Sequence, residues 1–226
     1  MPKVTDISYH LLKEGANMSD VKIGRIVLGM YGTNCYFVYK EGSDEAVLID
    51  PADSGDKLVS KLSDNGLKVV AILLTHGHFD HIYGVKKAAR DSGAKVYAYT
   101  DEARLLSDVK LNCSLSVGRG ETIEPDEFLT DNEVLSFAGI DFKVLHTPGH
   151  TAGSCCFYIE EAKILVSGDT LFCESVGRSD LPTGSMGTLV RSINDKLMVL
   201  PDDVKVYPGH GGTTTIGFER ENNPFL

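Results

Sequence analysis

No stretch of about 18 consecutive apolar residues occurs in this chain, so nothing in the sequence reads as a membrane span. Residues 1–10 lack the apolar core of a signal peptide. The five cysteines include no C-x-x-C pair, and Cys155 and Cys156 are adjacent in a strand-like run, which fits reduced, buried thiols better than a disulfide framework. Together these absences predict a cytoplasmic protein with no membrane partner. Positive charge is also scarce: 22 Lys and Arg stand against 32 Asp and Glu, a formal net charge of -10. That balance argues against nucleic acid as a partner, because binding a phosphate backbone depends on Lys and Arg. There is no G-x-S-x-G elbow, no P-loop and no G-x-G-x-x-G behind a strand-like run.

What the chain does have is a concentrated set of histidines and aspartates. Residues 75–81 read T-H-G-H-F-D-H and place His76, His78, Asp80 and His81 within six positions. His150 follows in T-P-G-H, Asp169 in S-G-D-T and His210 in Y-P-G-H. Of the 7 histidines in the chain, 5 fall in these patterns. Imidazole and carboxylate bind zinc, iron and manganese, and three or four protein ligands saturate one such ion. Seven candidate ligands exceed what one ion needs and suit two ions that share a bridging carboxylate. The expected cofactor is therefore a pair of divalent metal ions, zinc or alternatively iron or manganese, and a paired centre points to hydrolysis by a metal-activated water. Two such ions would also offset part of the negative charge.

The ligands recur at the ends of strand-like segments. Residues 69–74 read V-V-A-I-L-L, a short apolar run that suggests a strand covered on both faces, and the histidine loop begins where it stops. Ile82, Val85 and Ala89 then recur at helical spacing, with Gly93 as a C-cap. Phe142 and Val144 alternate with charged residues before the turn at Pro148-Gly149; residues 164–166 are apolar before Ser167-Gly168-Asp169; Val204 and Val206 alternate before Pro208-Gly209-His210. In α/β sheets, sites form where loops converge at strand ends. Further helices are predicted over 55–65 and 188–200, the latter with Leu189, Ile193, Leu197 and Leu200 on one face. Strands are predicted over 23–28, 35–39 and 46–49, and a surface loop over 118–126. Strands and helices alternate throughout, so the class is α/β, one domain over 1–226 with two sheets. Residues 46–50 and 163–169 look alike, a hint of internal duplication.

Several residues have plainer readings. His146 precedes the turn that aims His150 and is set aside as an eighth ligand. His10 has no metal-like neighbour and reads as a surface or ordinary core residue. Gly32-Thr33-Asn34 and Asp50-Pro51 read first as turn chemistry. Asp50 reads equally well as a carboxylate that orients a ligand imidazole. In G-R-S-D-L-P, Arg178 is either half of a surface salt bridge or a substrate-binding cation at the mouth of the site.

This set of motifs resembles the metallo-β-lactamase superfamily, from Y-G-T-N at 31–34 through D-P at 50–51, the T-H-G-H-F-D-H loop, T-P-G-H-T, S-G-D-T-L-F and Y-P-G-H-G. In detail it is similar to the short bacterial glyoxalase II-like hydrolases, and the tail G-H-G-G-T-T-T-I-G-F-E-R-E-N-N-P-F-L is the most specific part of that match. The resemblance implies a four-layer αβ/βα sandwich with the metals at one edge. It implies His76, His78 and His150 on one metal, Asp80, His81 and His210 on the other, and Asp169 as the bridge. Asp80 and Asp169 are then the residues nearest the chemistry, and Asp50 and Asp180 lie just outside the ligands. β-Lactamases of the superfamily usually lack a bridging Asp of this kind, which argues for another substrate. Full-length glyoxalase II enzymes carry a C-terminal helical glutathione-binding domain; only 16 residues follow His210, so that domain is expected to be absent. Arg178 and Asp180 stand where those enzymes tend to have a Lys and a Tyr.

The function implied is hydrolysis of a small-molecule thioester of hydroxyacyl-glutathione type, by a monomer or homodimer. A persulfide dioxygenase with one iron, held through His76, His150 and Asp169, is the rival from another reaction class. A lactonase or phosphodiesterase on the same centre is a third reading, and a binding module that only holds metal is the last.

Overall fold

The computed structural model describes residues 20–226 and the backbone of His10 and Leu11. The expectations for the His10 side chain and for residues 1–9 lie outside the described residues. Two sheets are present. The first contains β1 (His10–Leu11), β2 (Val21–Leu28), β3 (Thr33–Lys40), β4 (Glu45–Ile49), β5 (Lys68–Leu73), β6 (Lys95–Tyr99) and β7 (Glu127–Leu129), adjacent in chain order. The second contains β8 (Val134–Phe137), β9 (Ile140–His146), β10 (Cys155–Ile159), β11 (Ile164–Gly168), β14 (Lys205–Pro208) and β15 (Thr214–Thr215), in the order β15-β14-β11-β10-β9-β8. A two-stranded hairpin, β12 (Leu171–Phe172) with β13 (Ser175–Val176), follows β11.

The period-2 alternation of strand side chains decides the layers. On β3, Tyr36 and Val38 face the second sheet, while Cys35 and Phe37 face helices. On β10, Cys155, Phe157 and Ile159 face the first sheet, and Cys156 and Tyr158 turn away from it. Helices α1 (Gly55–Asp64) and α3 (Val85–Ser92) cover the first sheet through Leu58, Leu62, Val85 and Ala88. Helix α5 (Met186–Ser192) covers the second through Leu189, joined by Ile216 of α6 (Ile216–Asn222). The result is the four-layer αβ/βα sandwich, with one apolar core between the sheets and one under each helical layer.

Two helices depart from expectation. The helix expected to run on from the histidine loop is divided: α2 (Phe79–Ile82) stops and α3 starts at Val85, because the Gly84 N–H is drawn to the Pro51 carbonyl at 2.8 Å. Gly93 caps α3 in the left-handed region, at φ 72°, and a short α4 (Ala103–Leu106) follows β6. The helix expected over 188–200 starts at Met186 and widens to a π turn over Ile193–Leu197. The wider turn reduces the angular drift between residues four apart and keeps Leu189, Ile193 and Leu197 buried on one side. The loop expected over 118–126 is irregular and largely exposed, except for Ile123, which packs under the first sheet.

The hint of duplication has a structural counterpart. Strand β4 pairs antiparallel with β3 and parallel with β5; β11 pairs antiparallel with β10 and parallel with β14. Asp50 leaves the end of β4 as Asp169 leaves the end of β11. Both carboxylates therefore emerge at equivalent positions of facing sheets, at one end of the sandwich.

Phe157 lies fully buried in the core between the sheets. Phe157→Ala should destabilise the fold by about 3–5 kcal/mol, the range for truncating a core aromatic. Urea unfolding checks this; a loss below about 1 kcal/mol would mean that the sheets do not pack around this ring.

Candidate metal centre

The site begins with Asp50. It follows β4 with φ 49°, a left-handed conformation that aspartate tolerates better than most residues. Its Oδ1 accepts the Thr75 N–H at 2.8 Å and its Oδ2 accepts the Thr75 hydroxyl at 2.6 Å. Thr75 Oγ1 in turn lies 3.1 Å from His76 Nδ1, so His76 donates there and turns its Nε2 lone pair inward. Asp50 Oδ2 also meets His81 Nδ1 at 2.9 Å, which turns the His81 Nε2 lone pair inward too. One buried carboxylate thus orients two imidazoles, one directly and one through Thr75. Turn chemistry and imidazole orientation both apply at Asp50.

His150 is aimed differently. Gly149 adopts φ 137°, and a Cβ there would overlap the Leu189 backbone, so only glycine lets the T-P-G-H loop seat against α5. The His150 Nδ1–H donates to the Arg178 carbonyl at 2.7 Å, which leaves Nε2 facing inward. The His210 loop approaches from β14. A Cβ on Gly209 would overlap Asp169 Oδ1 and crowd His81 Cε1, so the close approach again requires glycine. Asn34 fixes this loop: its N–H donates to the Gly209 carbonyl at 2.7 Å and its side-chain amide to the Pro208 carbonyl at 2.8 Å.

All seven predicted ligands meet in one place. His150 Nε2 lies 2.8 Å from His78 Nδ1 and 3.2 Å from His76 Nε2. A tetrahedral ion with metal–nitrogen bonds of 2.0–2.1 Å would hold such nitrogens about 3.3 Å apart. On the other side, Asp80, His81 and His210 offer ligand atoms within 4.8 Å of one another. His210 Nε2 lies 3.2 Å from Asp80 Oδ2, which also accepts the Thr33 hydroxyl at 3.2 Å. Asp169 stands between the two groups: Oδ2 is 3.7 Å from His150 Nε2 and 3.5 Å from His210 Nε2, and Oδ1 is 3.4 Å from His81 Nε2.

The donor set fits divalent metal. His81 Nε2 and Asp169 Oδ1 are buried, face one another and have no hydrogen-bond partner; 3.4 Å exceeds a normal N–H···O bond. Burial and the neighbouring imidazoles hold His76 well below its ordinary pKa and push His78 down to about 3; burial also lowers His150. These three rings are therefore neutral, the form that binds metal. Burial opposes charge on His81, but Asp169 and Asp50 outweigh it and raise the ring well above its ordinary value. Burial likewise works against ionised Asp169, and His81, His150 and His210 outweigh it, holding this carboxyl far below its usual range. The cluster demands positive charge at its centre, and divalent ions supply it.

The remaining predicted residues divide. His146 stays outside the cluster: its ring stacks on Tyr99 at 4.0 Å and its Nε2 meets the Ala152 carbonyl. Asp180 departs from the expectation of a carboxylate just outside the ligands. It is exposed and grips Arg178 through two bonds of 2.7 and 2.8 Å, and the imidazole nearby is served by the Arg178 carbonyl instead. The Arg178 guanidinium is in that salt bridge. Thr33 and Asn34 do more than turn the chain, since they hold Asp80 and the His210 loop.

Glu102 escaped the sequence reading altogether. It is buried, and its carboxylate accepts the Gly77 N–H at 2.8 Å, the Thr151 hydroxyl at 2.9 Å and the Gly153 N–H at 2.9 Å. Gly77 separates His76 from His78, and Thr151 follows His150, so Glu102 clamps together the two loops that carry the three-histidine group. Its sequence neighbours T-D-E-A give no signal, because every partner is at least 25 residues away.

Comparison with known proteins agrees with this geometry. A family model described as the metallo-beta-lactamase superfamily matches residues 28–210. The hydroxyacylglutathione hydrolase GloC of Haemophilus influenzae is 34% identical over 196 residues, 85% of this chain and 92% of that protein. The crystal structure of the B3 metallo-beta-lactamase BLEG-1 is similar with a TM-score of 0.85 and 40% identity, covering 90% of this chain and 99% of that one. TTHA1623, solved in a di-iron-bound form, is similar with a TM-score of 0.80 and 37% identity, over 89% and 99% of the two chains.

Two outcomes are expected for Glu102. Glu102→Ala should weaken metal binding by about 10–100-fold, the usual effect of removing a group that supports metal ligands. Competition against a chelator measures this, and wild-type affinity would show that the loops need no clamp. Burial pushes the Glu102 carboxyl up from 4.5 to about 7, against the donors from Gly77, Thr151 and Gly153. Between those values the metal-free folded chain keeps a proton that the unfolded chain has lost. This contribution to stability is full below about pH 4.5 and is lost as pH rises to about 7. Glu102→Gln should flatten that slope in urea titrations of chelated protein; an unchanged slope would assign it to other groups.

Proposed function

Since this chain belongs to the metallo-beta-lactamase superfamily and is a metal-dependent hydrolase, we propose that it holds two divalent ions and hydrolyses small thioesters of the hydroxyacyl-glutathione type. The observation that carries the paired centre is Asp169, whose carboxylate reaches both donor groups: Oδ2 lies between His150 of the three-histidine group and His210 of the other, and Oδ1 faces His81. Ions bound there supply a water acidic enough to attack near neutral pH and a Lewis acid for the developing oxyanion. The residues supply geometry. Asp50, Thr75 and the Arg178 carbonyl hold three imidazoles in the tautomer that points a lone pair at the centre. Asp80, half-buried and bonded by Thr33, lies at the edge of a cavity, where its carboxylate orients the attacking water.

Likeness to a hydroxyacylglutathione hydrolase supports the thioester. The chemistry is compatible: a thiolate leaves readily, since a free thiol has a pKa near 8.5, so no strong general acid is required. Zinc and iron both suit the imidazole and carboxylate set, and the di-iron form of TTHA1623 supports iron as an alternative to zinc. The competing reading is β-lactam hydrolysis, favoured by the likeness to BLEG-1.

The test joins metal analysis with a substrate panel of lactoylglutathione, simpler thioesters and a chromogenic β-lactam. Two metal equivalents and thioester turnover abolished by chelation are expected. A stoichiometry fixed at one under excess metal, or β-lactam turnover exceeding that of every thioester, would sink the proposal. Asp169→Ala should lower occupancy of both positions, and His210→Ala mainly that of one. Two metals retained in Asp169→Ala would show that the carboxylate is no bridge.

A further inference from the structure

A cavity of about 200 Å³ lies beside Asp80, the one candidate metal ligand in its lining. Its walls are Met30 and Tyr31 from the β2–β3 turn, Phe79 and Tyr83 from around α2, and Val117 and Arg119 from the connection between β6 and β7. The aromatic rings form a continuous wall: Tyr31 meets Phe79 edge-on at 5.0 Å, and Phe79 meets Tyr83 at 5.7 Å. Met30, Tyr31 and Val117 are exposed, 96%, 53% and 41%, so apolar surface is left open where the centre meets solvent. In the same lining the Arg119 guanidinium lies 4.2 Å from the Tyr83 ring centroid and donates to the Tyr83 carbonyl. No carboxylate among the described residues forms an ion pair with Arg119, which is bonded instead to the Tyr83 carbonyl. Asp53, the remaining charged residue of the wall, turns its carboxylate to the Ser54 N–H.

We propose that this groove is the acyl subsite, and that it selects acyl groups with an apolar body and a distal carboxylate that reaches Arg119. The proposal rests on the thioesterase reading. A thioester over the centre extends two ways from its carbonyl. The side next to His150 presents the polar, exposed Arg178–Asp180 pair, which suits a peptide-like thiol. The side next to Asp80 presents aromatic rings, a methionine and the Arg119 guanidinium, with which no carboxylate of the described residues pairs, and this suits an acyl chain ending in an anion. The volume is below the roughly 300–1,000 Å³ of pockets that enclose drug-sized ligands, so a chain of a few carbons fills it.

The experiment compares glutathione thioesters that differ only in the acyl group: lactoyl, hexanoyl and adipoyl. The wild-type protein should favour hexanoyl over lactoyl in kcat/KM, and adipoyl over hexanoyl by at least about tenfold, the lower end for a charge-assisted hydrogen bond. Arg119→Gln should collapse the adipoyl-to-hexanoyl ratio toward one, and Arg119→Lys should retain part of it. Val117→Asp, which places an anion in the groove, should reverse it. Equal ratios in wild type and Arg119→Gln, or no gain from hexanoyl over lactoyl, would overturn the proposal while leaving thioester hydrolysis intact. Calorimetry of adipate and hexanoate binding to the metal-loaded protein separates the two readings. Arg119-dependent preference for adipate without turnover of any thioester would keep the groove and reject the thioesterase. Adipate binding indifferent to Arg119 would reject the groove in either case.

Discussion

Mutual repulsion among buried ligand atoms is the constraint on which this structure turns. Four imidazoles are buried, and their lone pairs converge with the carboxylates of Asp80 and Asp169 in a space where neighbouring nitrogens lie about 3 Å apart. Without a cation such an arrangement is unfavourable, because desolvated donors of one polarity face one another with nothing between them. The surrounding chain can hold it only by fixing each ring from behind. Asp50 does so for His81 and, through Thr75, for His76; the Arg178 carbonyl does so for His150; Glu102 holds the two loops in register. Burial suppresses charge on the other three buried histidines and leaves them neutral, while Asp169 and Asp50 raise His81 against its burial.

The sandwich makes this concentration possible. Each sheet places a parallel pair of strands, β4 with β5 and β11 with β14, so that their carboxyl ends lie at the same end of the molecule. Asp50 and the histidine loop leave one pair; Asp169 and His210 leave the other. Neither sheet alone supplies a bridged set. The fully buried core between them, with Phe142, Phe157 and Tyr36 among its largest members, therefore fixes the distance between the two halves of the centre. Rigidity at the ligands derives from packing well away from them.

What the sequence revealed follows from how local each feature is. His76, His78, Asp80 and His81 are read together because one loop carries them, and the three later ligands follow glycine turns that are visible as T-P-G, S-G and P-G. The α/β class and the two sheets follow from apolar strand-like runs alternating with helical periodicity, whereas the four-layer arrangement is implied only by the family resemblance. Features set by distant partners were hidden. Glu102 has an ordinary local sequence, and its role exists only once loops near residues 77 and 151–153 close around it. Thr33 and Asn34 look like turn residues until the His210 loop arrives beside them. Arg178 and Asp180 are two apart, and in the extended segment they occupy, that spacing lets them bond each other. The division between α2 and α3 depends on the Pro51 carbonyl, which no helical periodicity encodes.

The ligand motifs and the groove belong to different parts of the chain, and this separation bears on specificity. Hydrolytic power resides in residues whose positions are over-determined by buried hydrogen bonds, so they leave little freedom to vary. On the proposed reading selectivity resides in the β2–β3 turn and the loop around Val117 and Arg119, whose groove-lining side chains are exposed while buried Asn112 and Ser114 hold the base of that loop. Substitutions there reshape the pocket without disturbing the charge balance at the centre. One centre can then serve acyl-thiols, lactams or other carbonyl substrates according to the walls beside it, because attack on a carbonyl requires the same activated water and oxyanion stabilisation in each case. In this chain the walls are aromatic and include the Arg119 guanidinium, so on the proposed thioesterase reading the fit is decided by the apolar length of the acyl group and the charge at its tip.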